Sequence, residues 1–178
     1  VIAIKPSRRE AAAIAARTHT GALAGADRVV DAALRRAGII RVDDLDDLFE
    51  AASITSRFAP MSSGRVAIIT NGGGAGVLAV DELIDKGCAL ATLSVPTRAA
   101  LDAALPPTWS GANPVDIIGD APPSRYRAAI ESIAADPGVD ALLVMNCPTA
   151  MASPVAAARA VGELVENGRR DGRPLLAC

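Results

Sequence analysis

The chain has 178 residues, 51% of them apolar, a formal net charge of −2, and only one Trp, one Tyr and two Phe. That length and composition support one or two domains with a real core. The near-neutral charge and the lack of stacking aromatics argue against nucleic acid or an anionic membrane as a partner. No apolar stretch reaches the roughly 18 residues of a membrane span and the start is not a signal peptide, so a cytoplasmic protein is expected.

The core must be built from Ala, Val, Leu and Ile. Cys88, Cys147 and Cys178 each lie in an apolar run, and their odd number predicts buried free thiols in a reducing compartment. No two of them have metal-ligand spacing, and the single histidine could not complete a zinc site with them, so no metal is expected.

Val1 to Lys5 reads as a strand. Residues 7–17 have helical composition but are alanine-rich and short, which predicts a marginal helix or a mobile arm running into a loop around His19. From Asp27 an amphipathic helix places Val29, Val30, Ala33 and Leu34 on one stripe, with Asp31 and Arg35 paired on another face, and Gly38 ends it. Residues 39–42 form a short strand. Asp43 or Asp44 then caps a helix whose Leu45, Leu48, Phe49 and Ala52 follow the i, i+3, i+4, i+7 spacing.

Residues 59–64 have the composition of a linker, which predicts a boundary between residues 1–59 and 64–178. Beyond it, strands at 66–70, 88–93, 115–118, 139–146 and from Pro174 onward alternate with helices at 73–86, 96–105, 123–135 and 154–167. Apolar, non-alternating strands in strict β-α alternation imply an α/β fold with a parallel sheet covered on both faces. Five strands suit the flavodoxin-like order 2-1-3-4-5, with a ligand crevice at the switch point between strands 1 and 3. The strand-like runs at both ends of the chain are expected of a segment of a longer polypeptide.

Two small-residue stretches carry the candidate chemistry. His19, the only histidine, lies in Thr18-His19-Thr20-Gly21-Ala22-Leu23-Ala24-Gly25. Asn71-Gly72-Gly73-Gly74-Ala75-Gly76 follows the first strand of the second unit and opens a helix. Glycines let the backbone approach an anion, and the free N–H groups and dipole of a helix N-terminus hold it. The run is neither a Walker A loop nor a strict G-x-G-x-x-G, so a bland tight turn is about as common an explanation. Its position at the end of the first strand favours phosphate or sulfate binding. The loop from Gly119 to Pro123 should flank the same crevice. A lone histidine is most often an exposed loop residue, yet imidazole is also a general base and a covalent nucleophile.

The His19 stretch resembles the phosphohistidine loop of the NDP-forming acyl-CoA synthetases, relatives of succinyl-CoA synthetase, and Thr70 to Gly76 resembles the helix-opening turn of their second flavodoxin-like domain. Thr108-Trp109-Ser110, Asn113 to Asp120 and Asn146 to Ala150 look like members that carry a fused GNAT acetyltransferase domain. Thr18 stands where serine is usual and Ala75 where proline is common.

The resemblance implies that residues 1–59 are the C-terminal part of a succinyl-CoA synthetase-like domain and 64–178 a second, flavodoxin-like domain. It implies His19 as the phosphoryl carrier between acyl phosphate and ADP or ATP. Gly72, Gly73, Gly74, Ala75 and Gly76 would bind phosphate, and Thr18, Thr20, Gly21, Asn71, Asn113, Asp116 and Asp120 would support the loops. CoA, ATP or ADP and Mg2+ would bind mainly on CoA-binding and ATP-grasp domains outside this chain, with a small carboxylic acid as substrate; a homo-oligomer is compatible with it. The fragment alone should be inactive. Two other readings stay open: a regulatory acyl-CoA-sensing region of a GNAT-fused lysine acetyltransferase, and a plain nucleotide-binding flavodoxin-like module. The second leaves residues 1–59 unexplained.

Overall fold

The computed structural model describes residues 1–20, 26–58, 61, 63–166 and 173–178, with 17–20 described by backbone only. The chain divides into two compact units, Val1–Pro60 and Met61–Cys178.

In the first unit β1 (Ile2–Ile4) pairs in parallel with β2 (Ile40–Val42), Ile2 opposite Ile40 and Ile4 opposite Val42. Helices α1 (Glu10–Thr20) and α2 (Asp27–Arg36) lie between them in sequence. Helix α1 runs through His19, where a loop is expected; the alanine-rich run meets no breaker before Gly21. Gly38, at φ +66, follows the end of α2 as its position predicts. Asp44 caps α3 (Leu45–Arg57) by accepting the N–H of Asp47 at 2.8 Å.

The inward stripes are narrower than the expected ones. Val30, Leu34, Leu48 and Ala51 are half-buried, whereas Val29, Ala33, Leu45, Phe49 and Ala52 are exposed. Asp31 does pair with Arg35. The buried guanidinium of Arg41, on β2, also binds Asp31 and lies 2.6 Å from Asp27 Oδ1. That oxygen is 3.8 Å from Lys5 Nζ.

The second unit holds β3 (Arg65–Thr70), α4 (Gly73–Asp85), β4 (Ala89–Leu90), α5 (Val95–Ala104), β5 (Val115–Asp116), α6 (Pro123–Ala134), β6 (Ala141–Met145), α7 (Pro154–Glu166) and β7 (Leu175–Ala177). Every strand pair is parallel, as the apolar strands predict. Side chains alternate across the sheet. Ala67, Ile69, Leu142 and Val144 pack with residues of α5, α6 and α7. Val66, Ile68 and Ala141 face the other way, against Val80 and Leu83 of α4. Both faces are covered.

The strand order differs from the expected 2-1-3-4-5. β3 pairs with β6 along Val66 to Thr70, and β6 with β7. The opposite edge of β3 is shared end to end by β4, at Arg65 and Val66, and β5, at Ile69 and Thr70. β5 therefore does not insert between β3 and β6. The gap between the two short strands is filled by one side chain: Asn113 Oδ1 accepts the N–H of Ile68 at 2.9 Å, and its Nδ2 donates to the carbonyls of Val66 (3.0 Å) and Ala91 (2.9 Å). The amide stands in for a missing peptide unit, so β4 and β5 occupy a single position in the sheet. With that split strand counted once, the order is 2-1-3-4, the beginning of the flavodoxin-like arrangement.

The thiols also depart from expectation: all three are free, but Cys88 and Cys147 are only half-buried and Cys178 is exposed.

Candidate anion site at the switch point

Connections from β3 run to one side of it through β4 and β5 and to the other through β6, so the switch point lies between β3 and β6. Three loops meet at the carboxyl ends of these strands: residues 71–72 after β3, 117–122 after β5 and 146–153 after β6.

Helix α4 begins there with Gly72 as its N-cap, a residue with no side chain to bond the first-turn N–H groups. Gly72 is itself gripped by Thr70, whose fully buried hydroxyl accepts the Gly72 N–H at 3.0 Å and donates to the Gly72 carbonyl at 3.2 Å. The glycines of the run do different work. A methyl group added at Gly72 would lie 2.6 Å from Cys147 Sγ, one at Gly73 2.8 Å from Asp116 Oδ2, and one at Gly76 3.0 Å from Thr70 Cγ2. Gly72 and Gly73 are small because the helix start is pressed between neighbouring loops, and Gly76 because the helix packs on Thr70 of β3 and on Pro114. Gly74 has nothing within 4 Å of the same position. The first turn is therefore wedged on both sides and open over Gly74, where its N–H groups and the helix dipole can receive an anion.

The supporting residues fall into three groups. Asn71, 4% exposed, joins the loops after β3 and β6: its Nδ2 donates to the Cys147 carbonyl at 2.9 Å and its Oδ1 accepts the Cys147 N–H at 2.7 Å. Asp116 accepts the Ile118 N–H on Oδ1 at 2.9 Å and sets its other oxygen beside Gly73. Asp120 binds Arg125 at 2.6 Å, and Arg125 also donates to the Ile117 carbonyl at 2.9 Å. Asn113 is engaged inside the sheet. Backbone alone is described for Thr18, His19 and Thr20, all in the last turn of α1, and Gly21 lies outside the described residues.

Several contributors carry no obvious sequence signal. Thr149 donates to the Gly119 carbonyl at 2.8 Å, tying the loop after β6 to the loop after β5. Ile118 has φ +70, a left-handed conformation costly for a β-branched residue. The Asp116 carboxylate and the Ala121 N–H, 3.0 Å from the Ile118 carbonyl, hold it there. Only a conformation, not a residue type, reveals it.

A separate cavity of about 620 Å³ lies at the carboxyl ends of β6 and β7 beside α7, with Tyr126, Asn146, Val161 and Leu175 in its wall. Burial pushes the Tyr126 phenol up, against the opposing effect of the Asn146 amide that donates to it at 2.7 Å.

The sequence matches the succinyl-CoA ligase-like flavodoxin domain over residues 1–55 and the ligase-CoA domain over residues 66–177. The chain belongs to the ADP-forming acyl-CoA ligase family, relatives of succinyl-CoA ligase. It is 36% identical over 177 residues to the alpha subunit of ADP-forming acetate–CoA ligase I of Pyrococcus furiosus, covering 99% of this chain and 38% of that subunit. It is 34% identical over 149 residues to the ADP-forming 4-hydroxybutyrate–CoA ligase of Nitrosopumilus maritimus, covering 84% of this chain and 21% of that protein. The structure of Ca. Korarchaeum cryptofilum acetyl-coenzyme A synthetase 1 in complex with phosphate and ADP superposes with a TM-score of 0.89 at 32% identity, over 99% of this chain and 38% of that one. The chain thus spans less than two-fifths of the length of these relatives. Among its described residues, no helix is long and apolar enough to cross a membrane.

Proposed function

We propose that the chain is the phosphoryl-handling part of an ADP-forming acyl-CoA ligase, with His19 as carrier and the start of α4 as the seat for the phosphoryl group. The observation that carries this reading is the uncapped, laterally wedged first turn of α4, open over Gly74 at the switch point. The Korarchaeum relative, solved with phosphate and ADP, supports a phosphate-handling family site.

In the direction of thioester synthesis, a neutral His19 nitrogen attacks the γ-phosphorus of ATP. An N–P bond forms, the P–O bond to ADP breaks, and ADP leaves. A carboxylate oxygen of the acid then takes the phosphoryl group, the N–P bond breaks, and neutral imidazole returns. The CoA sulfur attacks the acyl carbon and releases phosphate. A phosphohistidine carries about two negative charges, and a helix N-terminus such as that of α4 suits a phosphate of that charge.

The residues present fit phosphate. Mg2+, nucleotide and CoA belong in this proposal to CoA-binding and ATP-grasp domains of the same protein or a partner subunit, and a small carboxylic acid is the substrate. Among the described residues, no group of three or more carboxylate, thiol or imidazole side chains is placed to hold a metal. A homo-oligomer and a cytoplasmic setting are compatible with this scheme.

The test uses the complete ligase. Incubation with ATP and Mg2+ should give an acid-labile, base-stable phosphoprotein, and His19→Ala and His19→Gln should abolish both the label and acyl-CoA formation with the fold intact. Full turnover by His19→Ala would overturn the carrier assignment. An acyl-CoA-induced conformational change that is equal in wild type and His19→Ala, with no label in either, would replace it with the regulatory role of a GNAT-fused protein.

A further inference from the structure

We infer that Asp27 is a positioning residue for His19: bonded to Arg41 and facing Lys5, its carboxylate fixes both ends of the segment that carries the histidine to the paired strands β1 and β2. This rests on the reading of His19 as the phosphoryl carrier, and adds what sets the base from which it reaches its partners.

The chain leaves the sheet of the first unit after Ile4, runs through α1 and His19, and starts its return at Asp27, the first residue of α2. Lys5 stands at the departure and Asp27 at the return. Arg41 lies on β2, in register with Ala3 of β1. Its two terminal nitrogens reach Asp27 Oδ1 (2.6 Å) and Asp31 Oδ1 (3.3 Å), carboxylates one helical turn apart on the same face of α2. A planar guanidinium that bridges two such groups fixes the rotation of the helix as well as its place. Asp27 Oδ1 also lies 3.8 Å from Lys5 Nζ, so one oxygen joins departure, return and β2.

Burial decides which ion pair of this unit can act in this way. Arg8 reaches Asp43 at 2.6 Å, but both side chains are exposed, and such a pair contributes little. The Arg41 side chain is only 8% exposed. Among the described residues, Arg41 Nε and Lys5 Nζ are buried without a hydrogen-bond partner, so neither cation has a spare acceptor beyond Asp27 and Asp31. A buried cation that loses its counter-charge is costly, and the packing around it must open to hydrate it. Asp27 itself stays ionised: the Arg41 hydrogen bond, with Lys5 and Arg8 nearby, outweighs desolvation and holds its carboxyl below the usual aspartate range.

His19 lies eight residues before Asp27 and fourteen after Lys5. A tethered carrier works through its effective concentration and orientation at each partner, and both depend on where the tether begins. Eight residues span at most about 28 Å when fully extended, so the return end, held at Asp27, bounds the range of the imidazole. Asp27 does this without touching the phosphoryl group.

The test labels His19 of the complete ligase in single turnovers from both sides, with radiolabelled ATP and Mg2+, and with acyl-CoA and radiolabelled inorganic phosphate. Asp27→Asn should lower both labelling rate constants about tenfold, the effect of a loosened attack geometry, while the final extent of labelling stays at the wild-type level. Molecules that had merely failed to fold would lower the final extent and leave the rate constant alone. Unchanged rate constants, a fall from one side only, or a lowered extent at the wild-type rate overturns the inference. If Asp27→Asn does not fold, Lys5→Met decides: both rate constants should fall by a smaller factor, and no change overturns it. His19→Ala separates the two levels. If it abolishes the label while Asp27→Asn is labelled at the wild-type rate, the inference fails and the carrier stands; if His19→Ala is itself labelled as wild type is, the carrier reading is wrong.

Discussion

Asp136 is 1% exposed, a position that ordinarily disfavours a charged carboxylate. Burial pushes its pKa up, but the N–H of Ser94, the Thr97 hydroxyl and the N–H of Gly138 outweigh that and bring it below the usual aspartate range. The Ser94 and Gly138 bonds are each 2.8 Å long. Ser94 is also the N-cap of α5, so this one carboxylate anchors a helix start to the turn before β6. Asp136→Ala should destabilise the second unit by on the order of 2 kcal/mol, the cost of stranding buried donors, read as a lower urea midpoint at constant slope. Asp140 shows the same chemistry nearer the surface. The Arg65 guanidinium, with the Arg65 N–H and the Ser63 hydroxyl, holds its carboxyl well below the usual range. A depressed folded pKa means the contribution is fully present above about pH 4, the unfolded value, and is lost as pH falls toward the folded one. Urea midpoints of wild type should therefore drop on acidification below about pH 4. Asp140→Asn should show a shallower acid limb, and identical limbs would remove Asp140 from the acid response.

At the scale of the element, the start of α4 separates glycines that look alike in sequence. Gly72→Ala should destabilise by about 1–3 kcal/mol, because the new methyl overlaps Cys147 in a packed joint. Gly74→Ala meets open space inside a helix and should stabilise by up to about 1 kcal/mol through the unfolded chain. Thermal melts of the two variants should move in opposite directions; equal shifts would mean the turn is not wedged. The sequence makes the existence of this turn legible, since Val66 to Thr70 is a continuous apolar run ending in glycines. It also makes legible the cap at Asp43 or Asp44, which the structure places at Asp44, and the stop at Gly38. The split of one strand position into β4 and β5 is not legible, because it depends on the Asn113 side chain imitating a peptide group and no periodicity records that. Helix α1 reaching through His19 was obscured for a different reason: threonine and histidine are weak helix formers, so the pattern fades before the helix does. The linked residues Cys147 and Thr149 lie 76 and 30 residues from their partners Asn71 and Gly119, pairings that the parallel registers of β3 with β6 and with β5 bring about.

Across the whole chain, burial is distributed very unevenly. Every buried core side chain among the described residues belongs to the second unit, from Val66 through Val161. Neither α2 nor α3 has a buried residue, and Val29, Leu45 and Phe49 are each more than 60% exposed. Two three-residue strands and helices that bury nothing fully cannot offset the ordering entropy of about 60 residues, at roughly 1–2 kcal/mol each for the backbone. The second unit has a sheet covered on both faces and a buried Trp109, whose indole N–H donates to Asp102 at 2.9 Å. Residues 61–178 expressed alone should therefore fold and unfold in a single cooperative urea transition, reported by the only tryptophan. For a unit of this size the slope should be about 1–3 kcal/mol per molar urea. Residues 1–60 alone should show weak helical circular dichroism and no cooperative transition. A cooperative transition in the isolated first unit would show that β1, β2 and the Arg41 ion pairs suffice to hold it. A broad, non-cooperative transition in the second would show that its core is completed by chain beyond residues 61–178.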